Sequence, residues 1–251
     1  MQVKVEKCYP LPNWEMLELP KPVHNRMRTK PLAWFQQKLN WERNYFNTKR
    51  SENLDMVATY RPYHFNGPEF GLYLYVRYFT AFLLDIMERT GLAFNEAHRF
   101  ALECVQTHGA FHNLVERYAS LTNLISSYPR YKREVYSPLW GTKECIEETL
   151  ANAYLFQNHP EWEDLKLHYI HHLFYKQRDG YAQAAWIKPG TIAFLYRQLE
   201  SLIGGRKNQA LEEWIKLRTP FCVDQLPVYL VNDCFEDSEF EKAIEIVFPA
   251  L

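Results

Sequence analysis

Between Asn95 and Thr122, the residues Ala97, Ala101, Cys104, Val105, His108, Phe111, His112, Val115 and Ala119 recur at spacings of three and four. That period places them on one face of an α-helix and makes this segment the clearest helix in the chain. Asn95 suits its N-terminal cap, because its side chain can accept a hydrogen bond from the first turn.

A second helix is expected over 143–157, with Thr142 as cap and Ile146, Leu150, Ala151, Tyr154 and Leu155 along one side; Pro160 stops it. Further helices are expected over 33–47, 163–177, 191–202 and 210–217. The turn signal Asn66-Gly67-Pro68 precedes an aromatic and β-branched run, 71–76, that reads as a strand leading into a helix up to Arg89. Residues 226–231 read as a short edge strand, since Pro227 lacks the amide that a central strand needs. The expected fold class is α+β, predominantly helical, with a small edge sheet.

Pro10, Pro12, Pro20, Pro22 and Pro31 interrupt regular structure early in the chain. Residues 1–60 are therefore read as a wrapping segment, 61–203 as the core, and 204–251 as a C-terminal appendage that starts at a Gly-Gly-Arg-Lys-Asn stretch. Together they are expected to form one compact domain. With 251 residues, 47% of them hydrophobic and spread along the sequence, the chain can bury a substantial core.

A net charge of −1 supplies no field that would draw the chain to nucleic acid or an anionic membrane. The five cysteines are odd in number and contain no CxxC pair, which argues for a reducing, cytoplasmic setting without a disulfide framework. The first residues have no apolar signal core, and the longest apolar-rich stretch, 70–87, is broken by Arg77 and Asp85. Neither export nor a membrane span is expected.

His108 and His112 lie one turn apart on the same helical face, so both imidazoles can reach one ion. Zinc suits them, because neutral imidazole binds it well and it accepts a tetrahedral set of three protein ligands plus water. The following helix carries Glu147 and Glu148, and Asn152 one turn beyond Glu148 can hold a ligand by hydrogen bonding.

Over about residues 97–156 this arrangement resembles the zincin metallopeptidases in which a His-Glu-x-x-His helix is followed by a helix bearing a glutamate ligand. By that resemblance His108, His112 and Glu148 match the zinc ligands, with Glu147 as the register alternative, and Asn152 matches an acidic residue behind the ligands. The strand 71–76 lies ahead of the histidine helix, where zincins keep the edge strand that pairs with substrate backbone.

The chain departs from the family at Gly109. The motif reads His-Gly-Ala-Phe-His, so the general base, whose help is typically worth about 10² to 10⁴-fold, is missing. Helix formation does not explain this glycine, which costs roughly 1 kcal/mol relative to alanine in a helix interior. Three explanations compete: an engineered inactive variant, a natural metal-binding pseudoenzyme, or an enzyme with another base. Glu116 and the unused member of the Glu147-Glu148 pair are candidates for the last, which ranks third because Glu116 lies two turns beyond His108.

Simpler roles exist for each group. Glu147 and Glu148 near a helix start complement the helix dipole. His168 and His172 share a face of an amphipathic helix and could stabilise an oxyanion, although such residues are more often half-buried surface. Cys104, one turn before His108, reads as a small core residue more readily than as a nucleophile. The segment 128–136 interleaves basic and aromatic residues, as single-strand nucleic-acid surfaces do, but a solvated loop or substrate-facing rim fits better with the overall charge.

The function expected from these residues is a zinc-dependent metallopeptidase-like protein acting on a peptide or protein substrate, impaired by Gly109. The alternative is a non-catalytic recognition or regulatory domain that keeps the scaffold and binds a protein partner. Nucleic-acid binding is the weakest of the three.

Overall fold

A computed structural model of the chain describes residues 57–62, 70–126, 128–139, 145–159, 161–176, 189–204, 210–222 and 226–231. These residues are mostly helical with one small sheet, as the apolar spacing implies. The strands are β1 (Ala58–Arg61), β2 (Gly71–Tyr75) and β3 (Val228–Val231). The main helices are α1 (Val76–Thr90), α2 (Phe94–Ser126), α3 (Ile146–Asn158), α4 (Asp164–Lys176), α5 (Pro189–Ile203) and α6 (Ala210–Cys222).

The sheet order is β1-β2-β3. β1 runs antiparallel to β2 with Ala58 opposite Leu74, and β3 runs parallel to it with Leu72 opposite Val228. This corrects the reading of 71–76 as a substrate-pairing edge: β2 is the central strand, hydrogen-bonded on both sides, and its first four residues are buried. Such burial on both faces is what an unbroken apolar run supports. Leu72 and Leu74 enter the core, while Tyr73 stacks on Tyr229 with ring centres 4.9 Å apart. β3 takes the edge position expected from Pro227.

β2 passes directly into α1, which buries Phe79, Phe82, Leu83 and Ile86. Gly91 ends that helix at φ 69° and returns its N–H to the Met87 carbonyl at 2.9 Å, a left-handed cap that glycine adopts without strain. α2 then runs for 33 residues, beyond both ends of the expected helix. Its first half packs with the sheet, α1 and α4 through Phe100, Ala101 and Val105. Its second half packs with α3, α5 and α6 through Phe111, Leu114 and Val115. His108 and His112 fall where these two apolar clusters meet.

The tyrosine-rich segment expected as a loop is helical. Residues Tyr131–Tyr136 form a π-helical stretch, followed by the short turn Ser137–Leu139. Its charges mask the pattern, but Tyr131 and Val135 both turn inward and bury in the second cluster. α3 starts at Ile146 behind Cys145, which makes no side-chain cap, so the helix begins three residues later than expected. Thr142, the expected helix 33–47 and nearly all of the 1–60 segment lie outside the described residues. Past residue 204, Leu211 and Ile215 join the second cluster and Val228 and Leu230 the first.

Candidate metal centre

α2 carries His108 and His112 to the same side, and α3 packs across that side, bringing Glu148 against both. His108 Nε2 and His112 Nε2 are 3.1 Å apart, and Glu148 Oε2 lies 3.2 Å from the first and 3.3 Å from the second. The three side chains are buried, with residue exposures of 3%, 7% and 2% in that order. A tetrahedral ion with bonds of about 2.05 Å has ligand atoms about 3.3 Å apart, so one ion can be held by all three.

The partners behind the imidazoles sharpen this. His108 Nδ1 donates to Asn152 Oδ1 at 3.1 Å, and His112 Nδ1 donates to Glu147 Oε1 at 2.7 Å. Each neutral ring then points its Nε2 lone pair inward. Two lone pairs and a carboxylate oxygen thus converge among buried side chains, an arrangement that demands a cation or a proton. Glu148 Oε2 is fully buried, with the two imidazole Nε2 atoms as its near polar neighbours.

A proton can answer part of that demand. Burial works against a charged His112, yet the Glu148 charge, hydrogen bonds to Glu147 and Glu148, and the Glu147 charge together hold its pKa well above the ordinary 6.5. Burial would likewise raise Glu148, but the His112 charge and the hydrogen bonds of both histidines keep it well below the usual carboxylate range. A proton on His112 and a metal ion held by all three side chains are alternative answers to the same demand.

The centre borders a small cleft whose walls include His112, Glu148, Glu147, Tyr131 and Tyr60. Two tyrosines bring their hydroxyls to buried carboxylates there. Tyr131 donates to Glu147 at 3.0 and 3.1 Å to the two oxygens. Burial, then the neighbouring Glu147 and Glu116 charges, push Tyr131 well above the ordinary phenol value, so it stays protonated. Tyr60 donates to Glu116 Oε2 and accepts from Asn113 Nδ2 at 2.9 Å.

The chain matches no family model, no curated protein and no solved structure. The chemistry of the centre is therefore read from its own atoms.

Several expected residues fall into place and others do not. His108, His112, Glu148 and Asn152 come together. Glu147 is corrected from alternative ligand to hydrogen-bond partner, because its carboxylate meets the outer nitrogen of His112 and the Tyr131 hydroxyl. His168 and His172 are corrected too: both are exposed on α4, where His168 Nδ1 donates to the Asp164 carbonyl and His172 lies 3.5 Å from Arg89. Neither lines the cleft, since the apolar residues of α4 face α1 and carry its histidines outward. Cys104 is buried, and burial followed by the Glu103 charge raises its pKa well above 9.0, so it remains an unreactive thiol.

Gly109 gains a physical reason. A Cβ built there would lie 2.7 Å from Leu72 Cδ1, so the glycine leaves room for the end of the Leu72 side chain. Tyr60, Asn113 and Tyr131 are the polar residues of the centre that sequence reasoning missed. Tyr60 sits on a four-residue strand too short to announce itself, and Tyr131 sits in a segment whose charges suggested solvent.

Proposed function

We propose that the chain is a zinc-dependent hydrolase of the metallopeptidase type, with His108, His112 and Glu148 as ligands and a peptide or protein amide as substrate. The convergence of two imidazole lone pairs and one buried carboxylate oxygen within 3.3 Å carries this reading. Zinc is the metal that suits two neutral imidazoles, one carboxylate and a tetrahedral arrangement, and when bound it polarises carbonyls and acidifies water. Asn152 and Glu147 fix the ring orientations, which is the usual work of groups behind metal-bound histidines.

The cleft supports a substrate site beside the ligands. Its walls include the ligands His112 and Glu148, and β1, an outer strand of the three-stranded sheet, contributes Thr59 and Tyr60 to them. The test is cleavage of a broad peptide library by the zinc-loaded chain, with and without a chelator. Chelator-sensitive cleavage is the expected result, and zinc-loaded protein that cleaves nothing contradicts the enzyme reading.

A second reading, a non-catalytic recognition or regulatory domain on the same metal-bearing scaffold, draws on Gly109. The end of the Leu72 side chain fills the space that a Cβ there would take, which accords with a glycine at this position. Nucleic-acid binding remains the weakest reading, since Tyr131 and Val135 of the segment it would use point into the protein. Among the described residues no helix is long and apolar enough to cross a membrane.

A further inference from the structure

Tyr60 belongs to β1, outside both ligand helices, yet it reaches the metal cleft and ties it to a buried carboxylate on α2. We propose that Tyr60, backed by Glu116, is the proton acceptor of the cleft, filling the role that Gly109 cannot. This rests on the metal-centre reading above.

Three observations place the pair. Tyr60 shares the cleft wall with His112 and Glu148. Its ring lies nearly parallel to the His112 imidazole, with centres 6.2 Å apart and planes 12° apart. Its oxygen accepts from Asn113 Nδ2 at 2.9 Å, while its own proton goes to Glu116 Oε2.

The direction of this chain decides what it can do. An amide N–H cannot accept, so Asn113 forces the phenol to donate elsewhere, and Glu116, with 0% exposure, is where that proton points. Towards any donor O–H held in the cleft, the Tyr60 oxygen then acts as an acceptor. The transfer balances simply: the donor's O–H bond breaks as its proton joins Tyr60 Oη, and the Tyr60 O–H bond breaks as that proton joins Glu116 Oε2. Negative charge passes from Glu116 to the donor oxygen, and nothing is oxidised or reduced.

Glu116 lies eight residues beyond His108, about 12 Å along the helix, too far to imitate a residue next to His108. The bridge is a side chain from another element. That is why the spacing along α2 alone ranks Glu116 low, whereas the folded chain does not.

The test uses the full chain loaded with Co²⁺ and two small probes followed by the visible absorption of cobalt. Acetohydroxamic acid gives up a proton when it binds a metal; azide does not. In Tyr60→Phe and in Glu116→Gln, hydroxamate affinity should fall about tenfold or more while azide affinity stays within about threefold of the wild type. Glu116→Gln keeps a carbonyl that can accept from Tyr60, so it changes the proton chemistry with little change of packing. A parallel loss of both probes marks a merely structural role and overturns the relay, as does cobalt uptake with unchanged hydroxamate binding. Failure of the wild type to take up cobalt overturns the metal-centre reading and the relay together.

Discussion

The Cβ that Gly109 lacks would stand 2.7 Å from Cδ1 of Leu72, so the end of the Leu72 side chain packs against the helix at the residue that carries no side chain of its own. Gly109→Ala would gain about 1 kcal/mol of helix propensity and lose about 1–3 kcal/mol to overpacking, so it should be neutral to destabilising by up to about 2 kcal/mol in urea unfolding. Combining it with Leu72→Ala should cost less than the sum of the two single changes, because the added methyl occupies part of the space vacated. Clear stabilisation by Gly109→Ala alone would remove the packing explanation.

By the same argument Gly109→Glu does not restore a general base. Its Cβ meets the same Leu72 methyl. The variant should unfold at lower urea than the wild type and gain no chelator-sensitive cleavage in the peptide screen, whereas a gain would show that the glycine is a simple loss from an active ancestor.

How far the sequence discloses this arrangement can be seen residue by residue. The period of four that joins His108 to His112 is visible in the chain because both lie on one helix, and Glu148 with Asn152 follows the same rule on the next. The choice between Glu147 and Glu148 is not visible, since two adjacent residues point about 100° apart and only the rotation of α3 against α2 selects one. Tyr60 and Tyr131 come from elements with no periodic signature of their own, and their roles appear only when β1 and the π-helical segment close over the ligands. Likewise β2 is central because of β1, whose four residues carry too little pattern to be read as a strand.

Asn152 and Glu147 act on the metal through the rings they hold. Asn152→Ala and Glu147→Gln should each weaken zinc binding about 10- to 100-fold in competition with a chromophoric chelator, with the His108-Glu148 contact left in place. Unchanged affinity in both variants would mean that the two rings need no support.

Metal binding should depend on pH through His112. Its pKa lies well above the ordinary 6.5 in the folded metal-free chain, so the stability it contributes is fully present below the unfolded value and fades as pH rises through the folded one. The depressed Glu148 pKa belongs to the same ion pair; its share is present above the ordinary 4.5 and is lost as pH falls through the folded value. Zinc needs the neutral imidazole and expels that proton, so affinity should rise up to about tenfold per pH unit while His112 is still protonated. The zinc-induced increase in Tm should accordingly be larger at about pH 8 than at about pH 6, and an increase that is equal or reversed would contradict the assignment.

His168 and His172 serve as a control. Both are exposed and removed from the cleft, so His168→Ala and His172→Ala should change stability by no more than about 0.5 kcal/mol and leave zinc affinity unaltered. Loss of metal in either variant would show that α4 contributes to the centre.

Elemental analysis of the chain, purified without chelators and then dialysed against zinc, addresses the centre itself. The wild type should retain about one zinc per chain, and His108→Ala, His112→Ala and Glu148→Ala should each retain well under half of that while remaining folded. A folded wild-type chain that leaves dialysis free of metal would mean that these three side chains converge for a proton alone.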